Sequence, residues 1–301
     1  PPTVDFGKLT PIKFPGDKQP EDLKYHLQTP SGNLPSFSDR AQVFYMPYQR
    51  PNLLALERAK REAQQMGYRE EPKPVSEKTY RWEKKSNATS TLEMNIFTGS
   101  FKIHYDWQND QNIFLNKNLP GRQQAKIEAQ SFLRSAGMKV EDLPTEKAKV
   151  SYLKAQGNKI VDAVSLSEAD FVKVEMFRKD IDEKPVLTKN PEKGVVTFIF
   201  TDYLNSEKKI IKVDYNYFPV NYEKPATYPI KTADTVWKAL NNGQAFIANW
   251  EGENKNITIR RVYIGYFDAL EPQDFLQPVA VFEGDNDFYS YVPIITDEWY
   301  K

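Results

Sequence analysis

The sequence predicts an α+β fold, built as tandem modules in which an antiparallel sheet carries one packed helix. Three segments show helical periodicity and end at a glycine, at residues 51–67, 119–137 and 232–243. A run of several strand-like stretches, separated by short polar turns, follows each of these segments. Single strands that alternate with helices would indicate a parallel sheet, whereas a helix followed by hairpin-linked strands indicates an antiparallel one.

The same pattern divides the 301 residues into four segments. Residues 1–35 are dense in proline and glycine and only weakly periodic, so we expect an extended segment that lies on a domain surface. Residues 36–117, 118–222 and 223–301 form the first, second and third α+β modules, because each contains one predicted helix and the strands after it. The pattern leaves open whether the second and third modules form one domain.

The first module begins with a short predicted strand at residues 41–48. Its helix is expected to begin at Pro51, since proline suits the first helical turn, and to end at Gly67, which suits a C-terminal cap. A strand at residues 77–85 follows. Two further strands are expected to form a hairpin that turns at residues 98–99.

The second helix repeats features of the first. The string AKREAQQMG at residues 59–67 is similar to AKIEAQSFLRSAG at residues 125–137, and a polar SEK or TEK turn and then a strand follow each of them. This similarity indicates a weak internal repeat. Chance similarity between two helices rich in alanine, glutamate and lysine is the alternative.

The strands after the second helix are predicted at residues 147–155, 170–179, 194–202 and 208–219. In the third of these strands, apolar residues follow one another without alternation, which predicts burial on both faces.

The third module begins with a helix that Thr232 or Asp234 caps and Gly243 ends. We expect only local hairpins to connect the strands that follow this helix. Those strands are predicted at residues 245–250, 257–269, 276–284 and 287–295.

Composition excludes several classes of function. The chain has no cysteine, which excludes disulfides, thiolate nucleophiles, zinc fingers and iron–sulfur clusters, and which is mildly suggestive of a bacterial extracytoplasmic protein. The 41 basic and 41 acidic residues cancel, so the charge balance gives no reason to expect nucleic acid as a partner. No apolar run is long enough to span a membrane. Because the chain starts at Pro1 without a methionine, we expect that an N-terminal membrane anchor has been removed.

Side chains suited to catalysis are scarce or unremarkable in their spacing. The two histidines, His26 and His104, lie far apart in the sequence, and no G-x-S-x-G string accompanies them, so neither a serine triad nor a histidine-rich zinc site is expected. A hydrolase that uses paired carboxylates is an alternative that spacing does not exclude. Its candidate carboxylates are Asp106, Asp110, Asp202 and Asp214.

The acidic string EGDND allows two interpretations. Glu283, Asp285 and Asp287 alternate with small or amide residues, and such spacing can hold a cation. The string lacks the downstream glycine and glutamate of a calcium-binding EF-hand loop, and Gly-Asp-Asn is typical of a hairpin turn. The flanking strands alternate as half-buried strands do, so we predict a solvated hairpin tip and no metal site.

A tyrosine-rich stretch is the predicted contact surface. Tyr215, Tyr217, Tyr222 and Tyr228 lie close together beside several prolines, and tyrosine provides rigid, amphipathic contact area for proteins or glycans. The alternative is a strand whose tyrosines cover a core.

The C-terminal module resembles a known family. The strings TADTVWKALNNG, VYIGYFDA, FLQPVAVFEGD and FYSYVPII, within residues 232–295, resemble extracytoplasmic modules of the YycH/YycI family, which are membrane-anchored accessory proteins of a bacterial cell-wall sensor kinase. The helix GRQQAKIEAQSFLRSAGM at residues 121–138 resembles those of PepSY-type modules. The resemblance covers about 70 residues well. It implies α/β modules outside the membrane that act by protein contacts, and it supplies neither active-site residues nor a cofactor.

These observations predict a non-enzymatic cell-envelope protein, exposed outside the cytoplasmic membrane and tethered to it. We expect a membrane or envelope protein as its partner, with the four tyrosines and the sheet edges as the contact surface. A module that binds cell-wall polysaccharide is the alternative, and it requires aromatic side chains that line an exposed groove.

Overall fold

The computed structural model describes residues 1–47, 51–86, 88–115, 118–201 and 210–301. The chain forms two compact units. The terminal unit combines Pro1–Tyr48, Asp180–Glu192 and Phe218–Lys301, and the central unit combines Gln49–Lys179 and Lys193–Tyr217. This division differs from the four predicted segments, because both ends of the chain pack into one unit while strands of the predicted first and second modules share one sheet.

The described ranges contain three α-helices: α1 Ala55–Gln65, α2 Arg122–Ser135 and α3 Ala233–Asn241. None of them is long and apolar enough to cross a membrane. The strands described are β1 Lys24–Leu27, β2 Arg40–Tyr45, β3 Lys73–Pro74, β4 Thr79–Lys85, β5 Thr89–Asn95, β6 Phe101–Tyr105, β7 Lys149–Gln156, β8 Lys159–Asp162, β9 Phe171–Met176, β10 Val186–Thr188, β11 Val196–Phe200, β12 Ile210–Tyr215, β13 Ala226–Pro229, β14 Phe246–Asn249, β15 Asn256–Asp268, β16 Phe275–Gly284 and β17 Phe288–Pro293.

The structure confirms where the first two predicted helices end, but it places the start of the first helix differently. Gly67 and Gly137 follow α1 and α2 with φ angles of +89° and +75°, a left-handed backbone that favours glycine. The side chain of Thr232 caps α3, since its Oγ1 accepts a hydrogen bond from the Thr235 N–H at 3.2 Å. Helix α1 begins at Ala55, four residues later than predicted from Pro51.

The α+β fold class is confirmed, and the central unit shows how the internal repeat is built. Its nine-stranded antiparallel sheet has the order β3-β4-β5-β6-β12-β11-β9-β7-β8. Helix α1 precedes the meander β4-β5-β6, and α2 precedes the meander β7-β9-β11-β12. The last strands of the two meanders, β6 and β12, pair with each other, with Ile103 opposite Val213. The two halves of the sheet therefore follow a similar plan, as the sequence repeat indicates.

Alanine dominates the buried face of both helices. The buried positions of each helix are spaced by four residues, so they lie on one face. These positions are Ala55, Ala59 and Ala63 in α1, and Ala125, Ala129 and Leu133 in α2. Opposite the helices, every residue of β11 is buried, which confirms the predicted burial of this strand on both faces.

The terminal unit has an eight-stranded sheet in which β1-β15-β16-β17-β14 are neighbours. The predicted hairpins join β15 to β16 and β16 to β17. The prediction that hairpins connect all four C-terminal strands is wrong for β14, because β14 pairs with β17 at the outer edge rather than with β15. Strands β1 and β10 pair in parallel with β15, which no local turn in the sequence could reveal.

The N-terminal strap, defined as residues 1–28, is part of the core of the terminal unit. Leu9 is fully buried, and Phe14 stacks on Phe246 with 4.9 Å between ring centroids. Further along, β1 extends the sheet at β15. The expectation of a segment that only lies on the surface is therefore corrected: apolar side chains at intervals anchor the strap, and proline and glycine keep it extended between anchors.

Gly194 tests the packing of the central sheet. A Cβ atom at this position would lie 2.1 Å from the carbonyl oxygen of Met176. We expect Gly194→Ala to lower the free energy of unfolding by about 1–3 kcal/mol, because backbone must move to relieve the overlap. Urea denaturation followed by circular dichroism measures this change. Gly121→Ala is the matched control, since nothing lies within 4 Å of its Cβ position, and a loss as large there would contradict the packing argument.

Candidate functional site

The four candidate tyrosines do not form an exposed surface. Tyr215 and Tyr217 belong to the central unit, and Tyr222 and Tyr228 belong to the terminal unit. Tyr215, Tyr217 and Tyr228 are only 5%, 8% and 0% exposed, and Tyr222 is half-buried. The expected contact surface is therefore corrected, because these aromatic rings fill the interiors of their own units.

Local contacts explain each burial. Tyr215 stacks on Phe101 of β6, with 4.7 Å between ring centroids. The hydroxyl of Tyr228 donates a hydrogen bond to the Gly7 carbonyl of the strap at 2.8 Å. Tyr222 packs edge-on against Phe44. Sequence alone gives the amphipathic character of these side chains but not which of their neighbours will cover them.

A buried ion pair holds Tyr217. Arg178 Nη1 lies 2.6 Å from Asp142 Oδ2, and the two side chains are 0% and 7% exposed. The guanidinium group lies 4.4 Å from the centroid of the Tyr217 ring, and the Tyr217 hydroxyl donates to Asp142 Oδ2 at 3.3 Å. Burial, together with the nearby Asp142 carboxylate, raises the pKa of Tyr217 to about 12. This cluster is a structural anchor, because all three of its side chains are buried.

The acidic string forms the predicted hairpin tip. Asn286 and Asp287 have φ angles of +57° and +54°, and the Phe288 N–H donates to the Asp285 carbonyl at 3.3 Å. Positive φ at both central residues is typical of the type I′ turn that joins twisted strands.

Arginines neutralise the carboxylates of this tip. Arg260 binds both carboxylate oxygens of Asp285 at 2.8 Å, and Arg261 lies 3.1 Å from Glu283. The hydrogen bonds from Arg260 lower the pKa of Asp285. Among the residues that the structure describes, no group of three or more histidine, aspartate or glutamate side chains could hold a metal ion.

Each candidate hydrolytic carboxylate that the structure describes bonds to a side chain close to it in the sequence. Asp110 is 3% exposed and accepts a hydrogen bond from the Tyr105 hydroxyl at 2.7 Å. Asp214 is also buried, and Lys212 Nζ lies 3.0 Å from its Oδ2. Asp106 accepts a hydrogen bond from the Asn109 side chain at 2.7 Å.

The remaining catalytic candidates are Asp202 and the two histidines. Asp202 lies outside the described residues. His26 on β1 and His104 on β6 are both exposed strand residues, and they belong to different units.

The central unit contains a cleft that the sequence analysis did not find. This interhelical cleft lies between the end of α1 and the side of α2 and has a volume of about 360 Å³. Its floor consists of Ile103, Phe200 and Ile210, from the adjacent strands β6, β11 and β12. Ligand pockets commonly enclose about 300–1,000 Å³, so this cleft is large enough for a small ligand or a few side chains.

Tyr68 and Ser90 line one wall of the cleft. Tyr68 is 2% exposed, and its hydroxyl lies 2.6 Å from Ser90 Oγ. Lys84 Nζ lies 4.9 Å from the centroid of the Tyr68 ring. Burial raises the pKa of Tyr68 to about 12, although the hydrogen bond with Ser90 lowers it in part. The phenol is therefore a neutral hydrogen-bonding group at physiological pH.

Helix α2 forms the opposite wall. Glu128, Ser131, Phe132 and Ser135 line the cleft, and their spacing of three and four residues places them on one face of the helix. Phe132 packs edge-on against Phe198 of the sheet, with 5.6 Å between centroids. This spacing is visible in the sequence. It shows only that the four residues share one face of the helix, and it does not by itself indicate a cleft.

The cleft combines an apolar floor with a hydroxyl-rich rim. Tyr68, Ser90, Ser131 and Ser135 bring four hydroxyl groups to it, and Lys84 and Glu128 bring one charge of each sign. Neither histidine lines it, so it lacks the usual general base for a serine nucleophile. The arrangement is suited to binding an apolar group beside hydrogen-bonding atoms.

Comparisons with known proteins give no family. No protein-family model matches the sequence, and no curated protein matches it. Similar solved structures include an uncharacterised protein from Eubacterium rectale, with 11% identity, coverage of 87% of this chain and 84% of that chain, and a TM-score of 0.40. The C-terminal domain of YpeB from Bacillus megaterium has 11% identity, coverage of 83% and 95%, and a TM-score of 0.37. Scores this low establish no common fold, so the resemblance to PepSY-type and YycH/YycI-like modules stays a prediction.

Removal of the Asp142 charge tests the buried anchor. Asp142→Asn removes one carboxylate from the buried cluster around the Arg178 guanidinium, so we expect a loss of about 3 kcal/mol in the free energy of unfolding. Urea denaturation measures the loss. The exposed pair of Arg260 and Asp285 supplies the control, Asp285→Asn, for which we expect little change. Equal effects of the two substitutions would contradict the assignment of Asp142 as an anchor.

Titration of Tyr68 tests the closed wall of the cleft. The absorbance difference at alkaline pH between the native chain and Tyr68→Phe is expected to have its midpoint near 12. A midpoint near 10, the ordinary value for tyrosine, would show that water reaches the hydroxyl. Because the pKa is raised in the folded state, the stabilisation from Tyr68 is complete below pH 10 and is lost as the pH rises towards 12.

Proposed function

We propose that this chain is a non-enzymatic, extracytoplasmic protein of the bacterial cell envelope that acts by binding another protein at the interhelical cleft. The partner is a membrane or envelope protein that inserts an apolar side chain between α1 and α2. Binding at this position would let the chain modulate a membrane partner without any chemical step.

The interhelical cleft is the observation that carries the proposal. Ile210 and Phe132 are half-buried and leave apolar surface that an inserted aliphatic or aromatic group can cover, above the buried Ile103 and Phe200. Ser131 and Ser135 are exposed on α2 at the rim, where they can bond to the backbone of a partner segment. A small number of polar groups around an apolar floor is typical of sites that orient one side chain.

The state of the candidate catalytic residues supports a non-enzymatic role. Asp110 and Asp214 are buried and bonded to neighbours, and His104 is a surface residue of a strand. A hydrolase needs two carboxylates that face a common cleft. The candidate carboxylates that the structure describes are Asp106, Asp110 and Asp214, and each bonds to a neighbouring side chain instead.

Composition and the family resemblance support the extracytoplasmic part of the proposal. A chain of 301 residues without cysteine suits an oxidising compartment, where free thiols would pair or oxidise. The polysaccharide-binding alternative loses its main observation, because the tyrosines that were to line an exposed groove are buried.

Closure of the cleft tests the proposal. Ser131→Trp places a large ring at the exposed rim of α2, where the fold can accommodate it, and is expected to block insertion of a partner side chain. Gln123→Trp is the matched control, because Gln123 is exposed on the same helix and does not line the cleft. The native chain and both variants serve as bait for a detergent-solubilised envelope of the source cell, with quantitative mass spectrometry as the readout.

The expected result is one membrane protein that the native chain and Gln123→Trp enrich and Ser131→Trp does not. Equal enrichment by both variants would exclude the cleft as the contact site. If no protein is enriched and the chain is instead retained on purified cell-wall material, the polysaccharide-binding alternative replaces the proposal.

A further inference from the structure

We infer that strand β8 is a docking edge, at which an extended segment of another protein adds one antiparallel strand to the central sheet. β8 covers Lys159–Asp162 and is an outer strand of that sheet, since it pairs with β7 and with no other strand that the structure describes. None of the residues that line the interhelical cleft belongs to β7 or β8. Binding at β8 is therefore independent of the proposed function.

The backbone of β8 presents unpaired hydrogen-bonding groups. The Ala163 N–H donates to the Tyr152 carbonyl at 2.9 Å, and the ladder between β7 and β8 has no register shift. In an antiparallel ladder, residues that exchange hydrogen bonds alternate with residues whose N–H and C=O point to the other side. Ile160 and Asp162 therefore direct these groups away from β7. Neither N–H has a hydrogen-bond partner among the described residues.

The open edge has a defined length. The next outward N–H belongs to Val164, and it donates to the carboxylate of Glu168. Lys154 Nζ lies 2.9 Å from the same carboxylate and holds it in place. At its other end the strand begins directly after the turn at residues 157–158. A partner strand can therefore pair along the four residues of β8.

Other outer strands are blocked. β3, at the opposite edge of the same sheet, has only two residues, and the second of them is Pro74, which has no N–H. In the terminal unit, the Ile247 N–H of the outer strand β14 donates to Gln19 Oε1 at 2.6 Å. Folded proteins commonly block such edges because an unpaired strand recruits other chains. The open donors of β8 therefore favour an added strand at this position.

Apolar side chains border the open edge. Ile160 and Val161 are only half-buried. Just beyond the strand, Val164 and Leu166 are 95% and 45% exposed. An added strand would cover part of this apolar surface, and its burial would supply affinity beyond that of the backbone hydrogen bonds.

The charges at the two ends of β8 select the sequence of the partner. Lys159 and Asp162 are both exposed, and neither has an ion pair among the described residues. An antiparallel partner places one residue directly opposite each of them, and opposite charges at such positions stabilise the pair. The segment that fits best therefore reads basic, apolar, apolar, acidic, with its basic residue opposite Asp162 and its acidic residue opposite Lys159.

A second copy of this chain does not meet that requirement. Strand residues three apart point to opposite faces of a sheet, so Lys159 and Asp162 lie on different faces. A twofold axis that joins two antiparallel edges stands perpendicular to the sheet and keeps each face on its own side. Lys159 of one copy therefore cannot lie opposite Asp162 of the other. Because these charges oppose self-pairing, the partner is a different protein.

Peptides with one blocked amide test the added strand. The ¹⁵N-labelled full chain is titrated with acetyl-Thr-Lys-Val-Val-Glu-Thr-amide, and we expect saturable shifts of the Ile160 and Asp162 backbone amide signals in nuclear magnetic resonance spectra. In this pairing the N–H of the second valine points to β8, and the N–H of the first valine points away. N-methylation of the second valine is expected to weaken binding by about tenfold. N-methylation of the first valine is the matched control and is expected to have little effect.

Exchange of the end charges tests the direction of pairing. The peptide acetyl-Thr-Glu-Val-Val-Lys-Thr-amide places like charges opposite Lys159 and Asp162, so we expect it to bind about tenfold more weakly. The double variant Lys159→Asp, Asp162→Lys is expected to reverse this preference. Both positions are exposed, so the variant is expected to keep the fold, which its circular dichroism spectrum checks.

Four outcomes would overturn the inference. Equal weakening by the two N-methyl groups, or no saturable shift with any peptide, would exclude an added strand. A native chain that prefers the charge-exchanged peptide would exclude antiparallel pairing. Shifts of the Ile160 and Asp162 signals on dilution of the chain alone would show that a second copy occupies the edge. None of these results bears on the cleft, which the envelope pull-down with Ser131→Trp tests separately.

Discussion

The pairing of β6 with β12 is the constraint on which the central unit depends. Each meander alone would end in an unpaired strand edge, and unpaired edges expose backbone donors and acceptors. The pairing turns the two meanders into one sheet and moves the edges out to β3 and β8. It also places Ile103 of β6 beside β12, where Ile210 completes the floor of the interhelical cleft. The cleft is therefore a consequence of how the two halves join, and neither half contains it alone.

Alanine makes this geometry possible. The buried positions of α1 are all alanine, and those of α2 are two alanines and one leucine, so little side-chain bulk separates α2 from β7 and β9. The larger Phe132 packs against Phe198 of the sheet and also lines the cleft, and Tyr68, which follows α1, lines the opposite wall. Ser131 and Ser135 of α2 line the cleft but are exposed, so a substitution at either position can alter binding without loss of the fold.

The sequence predicted what depends on local chemistry. Glycine at a left-handed position ends a helix wherever that helix lies, so Gly67 and Gly137 were found correctly. The same holds for the Asn286 turn, whose backbone angles belong to a few residues. Burial of β11 followed from its run of apolar residues, which only Thr197 interrupts.

Features that depend on contacts between residues far apart in the sequence were not predicted. The parallel pairing of β1 and β10 with β15 leaves no local mark in the sequence. The same holds for the antiparallel pairing of β14 with β17, from which two strands separate it in the sequence. The tyrosine surface failed for the same reason: Tyr217 is covered by Arg178, and Tyr228 by the strap, at 39 and more than 200 residues' separation in the chain. The interhelical cleft also needs two helices and three strands to be placed first. It could be recognised only once strand order was known.

The position of the strap has a consequence for synthesis on the ribosome. The strap leaves the ribosome before the rest of the terminal unit, yet the Leu9 carbonyl accepts its hydrogen bond from the N–H of Lys301. The central unit, which is complete by Tyr217, can fold while the strap still lacks the strands that cover Phe14. During that interval the strap is an extended segment with uncovered apolar side chains, and it contains proline and lysine, residue types that disfavour association of such segments.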